Sequence, residues 1–232
     1  MRLFYFTGLR YALAAIRDER LKISKFSELN DPADHIGIYV EGADRFALQN
    51  QRKRFDEQGG IICMSRNWRE PLLWGHYGGN YHGACLIFDT DPEWWFDLMY
   101  IDKRPTLAAF GAKRYADLTE RDLFALGIMK SASWIYEAEC RRFVPFDEYD
   151  FVENIHFKKF DDAMKLRGIL FGFRSNVSDK QLEGIMRTNE ELKIGFTRHS
   201  EKYFHVILNQ TKKTIVPQDR KITYDSKKNL VL

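Results

Sequence analysis

The stretch LFYFTGLRYALAAIRDERLKIS, residues 3–24, decides the fold class. Residues 3–6 are aromatic and aliphatic, as a short buried strand requires. Leu9, Leu13 and Ile16 then recur at helical spacing, and residues 21–24 return to an extended pattern. This predicts a strand-helix-strand opening. Behind it, Ser27-Glu28-Leu29-Asn30-Asp31-Pro32 is dense in turn formers, and Pro32 keeps Asp31 away from helical angles. The second strand is therefore expected to run into a fixed loop.

Further along, residues 42–58 are charged and helix-permissive, with Phe46, Leu48 and Phe55 as their strong apolar anchors. Residues 61–65 and 83–88 read as strands, and Pro71 suits the first turn of a short helix over 71–77. Thr119, with Glu120 and Asp122 behind it, is placed to cap a helix over 118–130. Residues 133–144 alternate apolar and polar side chains and predict a strand. A short buried strand over 169–173 and a helix over 178–187 complete the order, and the basic segment from about 212 reads as an extended tail or edge strand. Mixed element order favours α+β over a wound parallel sheet.

With 232 residues, 44% of them hydrophobic, the chain has material for one sizeable core, so a single domain over 1–232 is expected, with 42–58 open to reading as a helical insertion. No window approaches the ~18 uncharged apolar residues of a membrane span, so a cytoplasmic protein with no membrane partner is expected. Cys63, Cys85 and Cys140 are odd in number and embedded in apolar runs, which disfavours a disulfide framework and a zinc cluster. A net charge of +3, spread along the chain, permits a nucleic-acid partner without demanding one. The Gly-rich patterns of dinucleotide folds and phosphate loops are absent, as is the nucleophile elbow of hydrolases.

The chemistry concentrates in Ser131-Ala-Ser-Trp-Ile-Tyr-Glu-Ala-Glu-Cys-Arg-Arg142. On a strand, Trp134, Tyr136, Ala138 and Cys140 would face the core, while Ile135, Glu137, Glu139 and Arg141 would share the other face. Two neighbouring carboxylates raise each other's proton affinity and an arginine restrains it, a combination suited to general-base or cation-stabilising work. The same pattern also fits a solvated strand face with an ordinary Glu–Arg pair. A second cluster, Trp74-Gly-His-Tyr-Gly-Gly-Asn-Tyr-His-Gly83, joins a helix end to a glycine-rich turn carrying aromatic stacking surfaces. His76 and His82 do not have metal-ligand spacing, and His76 also suits a helix C-terminus. No metal is expected. Asn30 and Asp31 are placed to order the edge of a ligand, though a turn needs no ligand to explain them.

These residues resemble the bacterial domain-of-unknown-function family numbered 2971. The likeness rests on Phe4-Tyr5-Phe6-Thr7, Leu21-Lys22-Ile23-Ser24, Leu29-Asn30-Asp31-Pro32, Ile62-Cys63-Met64-Ser65 and Pro71-Leu72-Leu73-Trp74-Gly75-His76-Tyr77. It continues through His82-Gly83-Ala84-Cys85-Leu86-Ile87-Phe88-Asp89, the stretch 130–134, Tyr136-Glu137-Ala138-Glu139-Cys140-Arg141 and Ile169-Leu170-Phe171-Gly172. Gly75 stands where a small residue such as alanine is usual, and Met64 replaces an aromatic.

The family's layout is similar to that of ADP-ribosyltransferases, which implies mainly antiparallel, split sheets with flanking helices and NAD as a consumed substrate. By that resemblance Glu139 stabilises the ribosyl cation and Glu137 lies beside the acceptor. Tyr5 and Thr7 would face the NAD, Ser65 and Tyr77 would line its nicotinamide side, and His76 would bond a ribose hydroxyl. Asn30, Asp31 and Arg141 would serve the substrate. The implied function is a toxin or phage-defence effector that modifies a nucleic acid or a protein and is held in check by an antitoxin or immunity partner. The rival readings are a nuclease using Glu137, Glu139, His76 and Arg141, and a non-catalytic interaction domain.

Overall fold

The computed structural model describes residues 1–34, 37–146, 150–211, 215–218 and 221–224. The chain is α+β, with helices beside mixed, mainly antiparallel sheets. Two compact units emerge: one comprises Met1–Arg20, Met64–Pro92 and Phe160–Leu232, the other Leu21–Cys63 and Glu93–Lys159. Among the described residues, no helix is long and apolar enough to cross a membrane.

In the first unit the opening follows its sequence pattern. The strand Arg2–Thr7 leads through Gly8 into the helix Leu9–Asp18, which turns Ala12, Ala15 and Ile16 inward. Glu19, in the left-handed region at φ 50°, ends that helix. Strand Arg2–Thr7 pairs antiparallel with Ala84–Thr90 from Arg2↔Asp89 to Thr7↔Ala84, and on its other edge meets Ser65 at Phe4. Ala84–Thr90 also pairs antiparallel with Met164–Phe171, so it is central, and its run of Ala84, Cys85, Leu86, Ile87 and Phe88 is buried throughout. Met164–Phe171 then crosses over through the helix Asp179–Thr188 to the parallel strand Lys193–His199. Ser178 starts that helix by accepting from the Gln181 N–H, while the Gln181 side chain accepts from the Ser178 N–H. The basic tail lies partly outside the described residues, at 212–214, 219–220 and 225–232; between them Ile215–Gln218 and Lys221–Tyr224 form an antiparallel pair on the Lys193–His199 edge.

The first unit's core gathers Phe4, Trp68, Trp74, Cys85, Ile87, Leu170 and Val206. The Gly-rich turn closes one end of it. Gly83 N–H donates to the Gly78 carbonyl at 2.8 Å, and Gly172 N–H to the Gly83 carbonyl at 3.0 Å. A Cβ on Gly83 would run into the Thr7 carbonyl, and one on Gly172 into the Tyr81 carbonyl, so backbone contact dictates both glycines.

In the second unit the helix Ala43–Gln58 buries Leu48 and sets Phe55 against Phe26, with ring centroids 6.2 Å apart. Phe46 is not an anchor: its side chain is 67% exposed. Two residues along a helix is about 200° of rotation, so with Leu48 facing inward Phe46 faces out. Ile38, Val40, Leu48, Tyr115 and Leu126 form this unit's core. Thr119 caps the helix Glu120–Gly127 reciprocally with Asp122, as its sequence predicts. That helix stops at Gly127, short of 130, because Met129–Ser131 becomes a strand paired in parallel with Met99–Ile101.

The strand expected over 133–144 is corrected by the structure. Ala132–Glu137 coil into a 3-10 turn, Ala138 takes a left-handed φ of 43°, and only Glu139–Pro145 is extended. Ile135 consequently points to solvent while Glu137, Glu139 and Arg141 are buried, so the predicted sharing of one face by these four does not hold.

Candidate functional site

Lys130 stands in the middle of the strand Met129–Ser131. Ser131 starts the 3-10 turn by accepting from the Ser133 N–H, and the left-handed Ala138 redirects the chain at the turn's end. Glu137 closes the turn and Glu139 opens the next strand. This reversal, and not strand alternation, brings the two carboxylates together on one ammonium. Lys130 Nζ lies 2.5 Å from Glu137 Oε2, 2.8 Å from Glu139 Oε2 and 3.6 Å from Asp34 Oδ2.

Arg141, two residues beyond Glu139, shares its strand face and completes the network. Its Nε donates to Glu139 Oε1 at 2.7 Å, and its Nη1 donates to Asp34 Oδ1 and to the Gly127 carbonyl, each at 2.9 Å. The Arg141 side chain is entirely buried, and Asp34, Glu137, Glu139 and Lys130 are nearly so. A solvated strand face is thereby ruled out for Glu137 and Glu139. Asp34, Glu137 and Glu139 set three carboxylates around the two cations Lys130 and Arg141.

Burial works against the ionised form of Glu139, but Arg141 and Lys130 outweigh it and hold the carboxyl at about 2, well below its ordinary 4.5. Burial likewise opposes the Lys130 charge, and Glu139, Glu137 and Asp34 overcome it and raise its proton affinity. Cys63 adds a thiol bonded to Glu139; burial, reinforced by the Glu139 charge, pushes its pKa up, so it stays protonated. The Tyr100 hydroxyl, pushed up to about 12 chiefly by burial, accepts from the Glu139 N–H at 2.8 Å.

A depressed carboxyl carries a stability signature with a fixed sign. Glu139 binds its proton more readily when unfolded, so its contribution is complete above about pH 4.5 and is lost as pH falls toward 2. Urea midpoints measured across that window are expected to fall more steeply in wild type than in Glu139→Gln. Parallel slopes would show that Glu139 titrates normally.

Lys130 also lines a cavity of about 290 Å³, together with Asp31, Arg104, Ser131, Ser133 and Trp134 among others. Its ammonium lies 5.1 Å from the centroid of the Trp134 ring, an arrangement that offers a ligand both a cation and an aromatic face. Asp31 holds its own turn by accepting from the Ala33 N–H at 2.8 Å, and Asp34 is the residue that this turn delivers to the cluster. Asn30 is exposed beside it.

The structure thus brings together Glu137, Glu139 and Arg141, and puts Asp31 on the neighbouring cavity wall. Tyr5, Thr7, Ser65, His76 and Tyr77 belong to the first unit. There Tyr5 and Thr7 are half-buried on their strand, Ser65 is buried and bonded to the backbone of Asn67, and His76 is exposed with its ring 6.2 Å from that of Tyr77. Sequence reasoning missed Asp34 and Lys130. Asp34 had one usable signal, its place at the close of the Asp31-Pro32 turn; Lys130 had none beyond a lone charge behind an apolar helix. Among the described residues, no group of three or more His, Cys, Asp and Glu is arranged to hold a metal ion.

Compared with family models, with curated proteins and with solved structures, the chain matches none.

Proposed function

We propose that the second unit binds a nucleotide and splits a glycosidic bond at which positive charge develops, the reaction being ADP-ribosyl transfer from NAD to a nucleic acid or protein. The observation that supports this is the buried group of carboxylates, Asp34, Glu137 and Glu139, gathered on Lys130, which itself lines the Lys130–Trp134 cavity. On this reading a fixed carboxylate near the ribose favours the transition state, in which positive charge passes from the nicotinamide ring to the ribosyl group. Glu139, held ionised, supplies charge and is too weak a base to take a proton; Glu137 is the carboxylate left to accept the acceptor's proton. Trp134 gives the nicotinamide ring a stacking surface. At about 290 Å³ the cavity is at the small end of the roughly 300–1,000 Å³ of ligand sites, room for one half of a dinucleotide. Unrestrained consumption of NAD harms the cell that carries it, so on this reading the chain is a toxin or phage-defence effector kept in check by an antitoxin or immunity partner.

Purified full-length chain incubated with NAD, with and without cell lysate or DNA, is expected to release nicotinamide. Glu137→Gln, with its thermal midpoint checked, is expected to slow acceptor-dependent release by about 10²–10⁴-fold, the scale of losing a general base. No nicotinamide release by wild type under any of these conditions would sink the proposal.

A further inference from the structure

A second cavity of about 400 Å³ in the same unit opens over the apolar core built by Ile38, Val40 and Leu48. Its walls carry Arg45, Arg52 and Arg104, and among the described residues no carboxylate lines it. Arg45 and Arg52 are seven residues apart on the helix Ala43–Gln58, two turns, so both fall on the face that also presents Leu48. Backbone carbonyls hold these two guanidinium groups: Arg45 Nε donates to Val40 O and Arg52 Nη2 to Phe26 O, each at 3.2 Å. The Arg52 Nε is buried with no hydrogen-bond partner. Acids close by are committed to other donors. Asp44 accepts from the Tyr115 N–H at 2.8 Å, Asp56 from the Phe26 N–H at 2.7 Å, and Glu41 from the Tyr39 hydroxyl. Arg104 belongs to the walls of this cavity and also to those of the Lys130–Trp134 cavity.

We propose that the arginine-lined cavity is a phosphate site, which holds one nucleotide of a dinucleotide by its phosphate while the other enters the Lys130–Trp134 cavity. Arg104, common to both walls, meets the phosphate between the halves. This deepens, and rests on, the reading of the Lys130–Trp134 cavity as the place where a nucleotide is split. Three guanidinium groups around one cavity repel one another, and an anion relieves that repulsion. Their planar forks match phosphate oxygens two at a time, which a lysine cannot do. The apolar floor of Ile38, Val40 and Leu48 lowers the local dielectric and strengthens each of those contacts. Two modest cavities sharing a cationic wall suit a ligand with two lobes and a charged waist.

The test is calorimetric titration of the full chain with ADP, adenosine and inorganic pyrophosphate, with nicotinamide release from NAD followed in parallel. ADP is expected to bind wild type, and Arg104→Ala and Arg45→Gln are each expected to weaken it at least about tenfold. Arg45 and Arg104 are both exposed, so either replacement leaves the packing intact. Lys103→Ala, which removes a neighbouring charge outside the cavity walls, is expected to leave ADP binding unchanged. Adenosine is expected to bind at least about tenfold more weakly than ADP, and pyrophosphate binding that the same arginine variants weaken would add support. ADP binding that ignores both arginine variants, or adenosine binding as tightly as ADP, overturns the phosphate site even where wild type releases nicotinamide. Arginine-dependent ADP binding with no nicotinamide release leaves the phosphate site standing and removes the transferase reading.

Discussion

Arg141→Met is expected to lower the unfolding free energy by about 3–5 kcal/mol, the range for stripping one partner from a buried ion pair. The guanidinium has no access to solvent and serves Asp34, Glu139 and the Gly127 carbonyl at once. Without it, Asp34 and Glu139 each lose a buried cation and must stay ionised with less compensation or take up a proton. Against a total stability of about 5–15 kcal/mol, such a loss leaves little margin. Urea unfolding followed by circular dichroism measures it. Adding Asp34→Asn and Glu139→Gln to Arg141→Met is expected to recover part of the loss, because the orphaned charges go with their partner. A loss below about 1 kcal/mol for Arg141→Met alone would mean that water reaches the cluster, since exposed pairs contribute that little.

In the first unit the largest expected effect belongs to Trp74→Ala, at about 3–5 kcal/mol for an aromatic removed from a packed core. Trp74 is fully buried, its ring sits edge-on to Phe6 with centroids 5.1 Å apart, and it stacks over Tyr81 at 6.4 Å. Its Nε1 donates to the Trp68 carbonyl at 2.7 Å. Trp74→Phe keeps most of the volume but removes that donor, so it is expected to cost only about 1–3 kcal/mol. The same urea titrations separate the two. Equal losses for the Ala and Phe variants would show that the hydrogen bond, and not the filled volume, is what the core depends on.

Local patterns explain which elements could be read in advance. The helices Glu120–Gly127 and Asp179–Thr188 are announced by reciprocal caps, Thr119 with Asp122 and Ser178 with Gln181, whose logic spans only four residues. Residues 84–88 read as an unbroken apolar run because successive side chains point to opposite faces of the sheet and all five are buried. The turn Ala132–Glu137 misleads because its alternating apolar and polar residues satisfy a strand pattern equally well. The left-handed residue that ends it is Ala138, where a glycine would have marked the break. In the site, Glu137, Glu139 and Arg141 are legible as neighbours in sequence. Asp34 reaches Arg141 across 107 residues, a distance over which no periodicity or spacing carries information.

The division of the chain into alternating segments also orders its birth on the ribosome. The second unit is complete once residue 159 has emerged, whereas the first still awaits Phe160–Leu232. At about 5–20 residues per second that wait lasts roughly 4–15 s, long on the scale of domain folding. The unit carrying the charge cluster can therefore consolidate while Arg2–Thr7 and Ala84–Thr90 still lack Met164–Phe171, their last central partner. No single cut of the gene yields either unit by itself: a product that stops after residue 159 keeps the second unit beside an unfinished remnant of the first, with the edge of Ala84–Thr90 left open to chaperones.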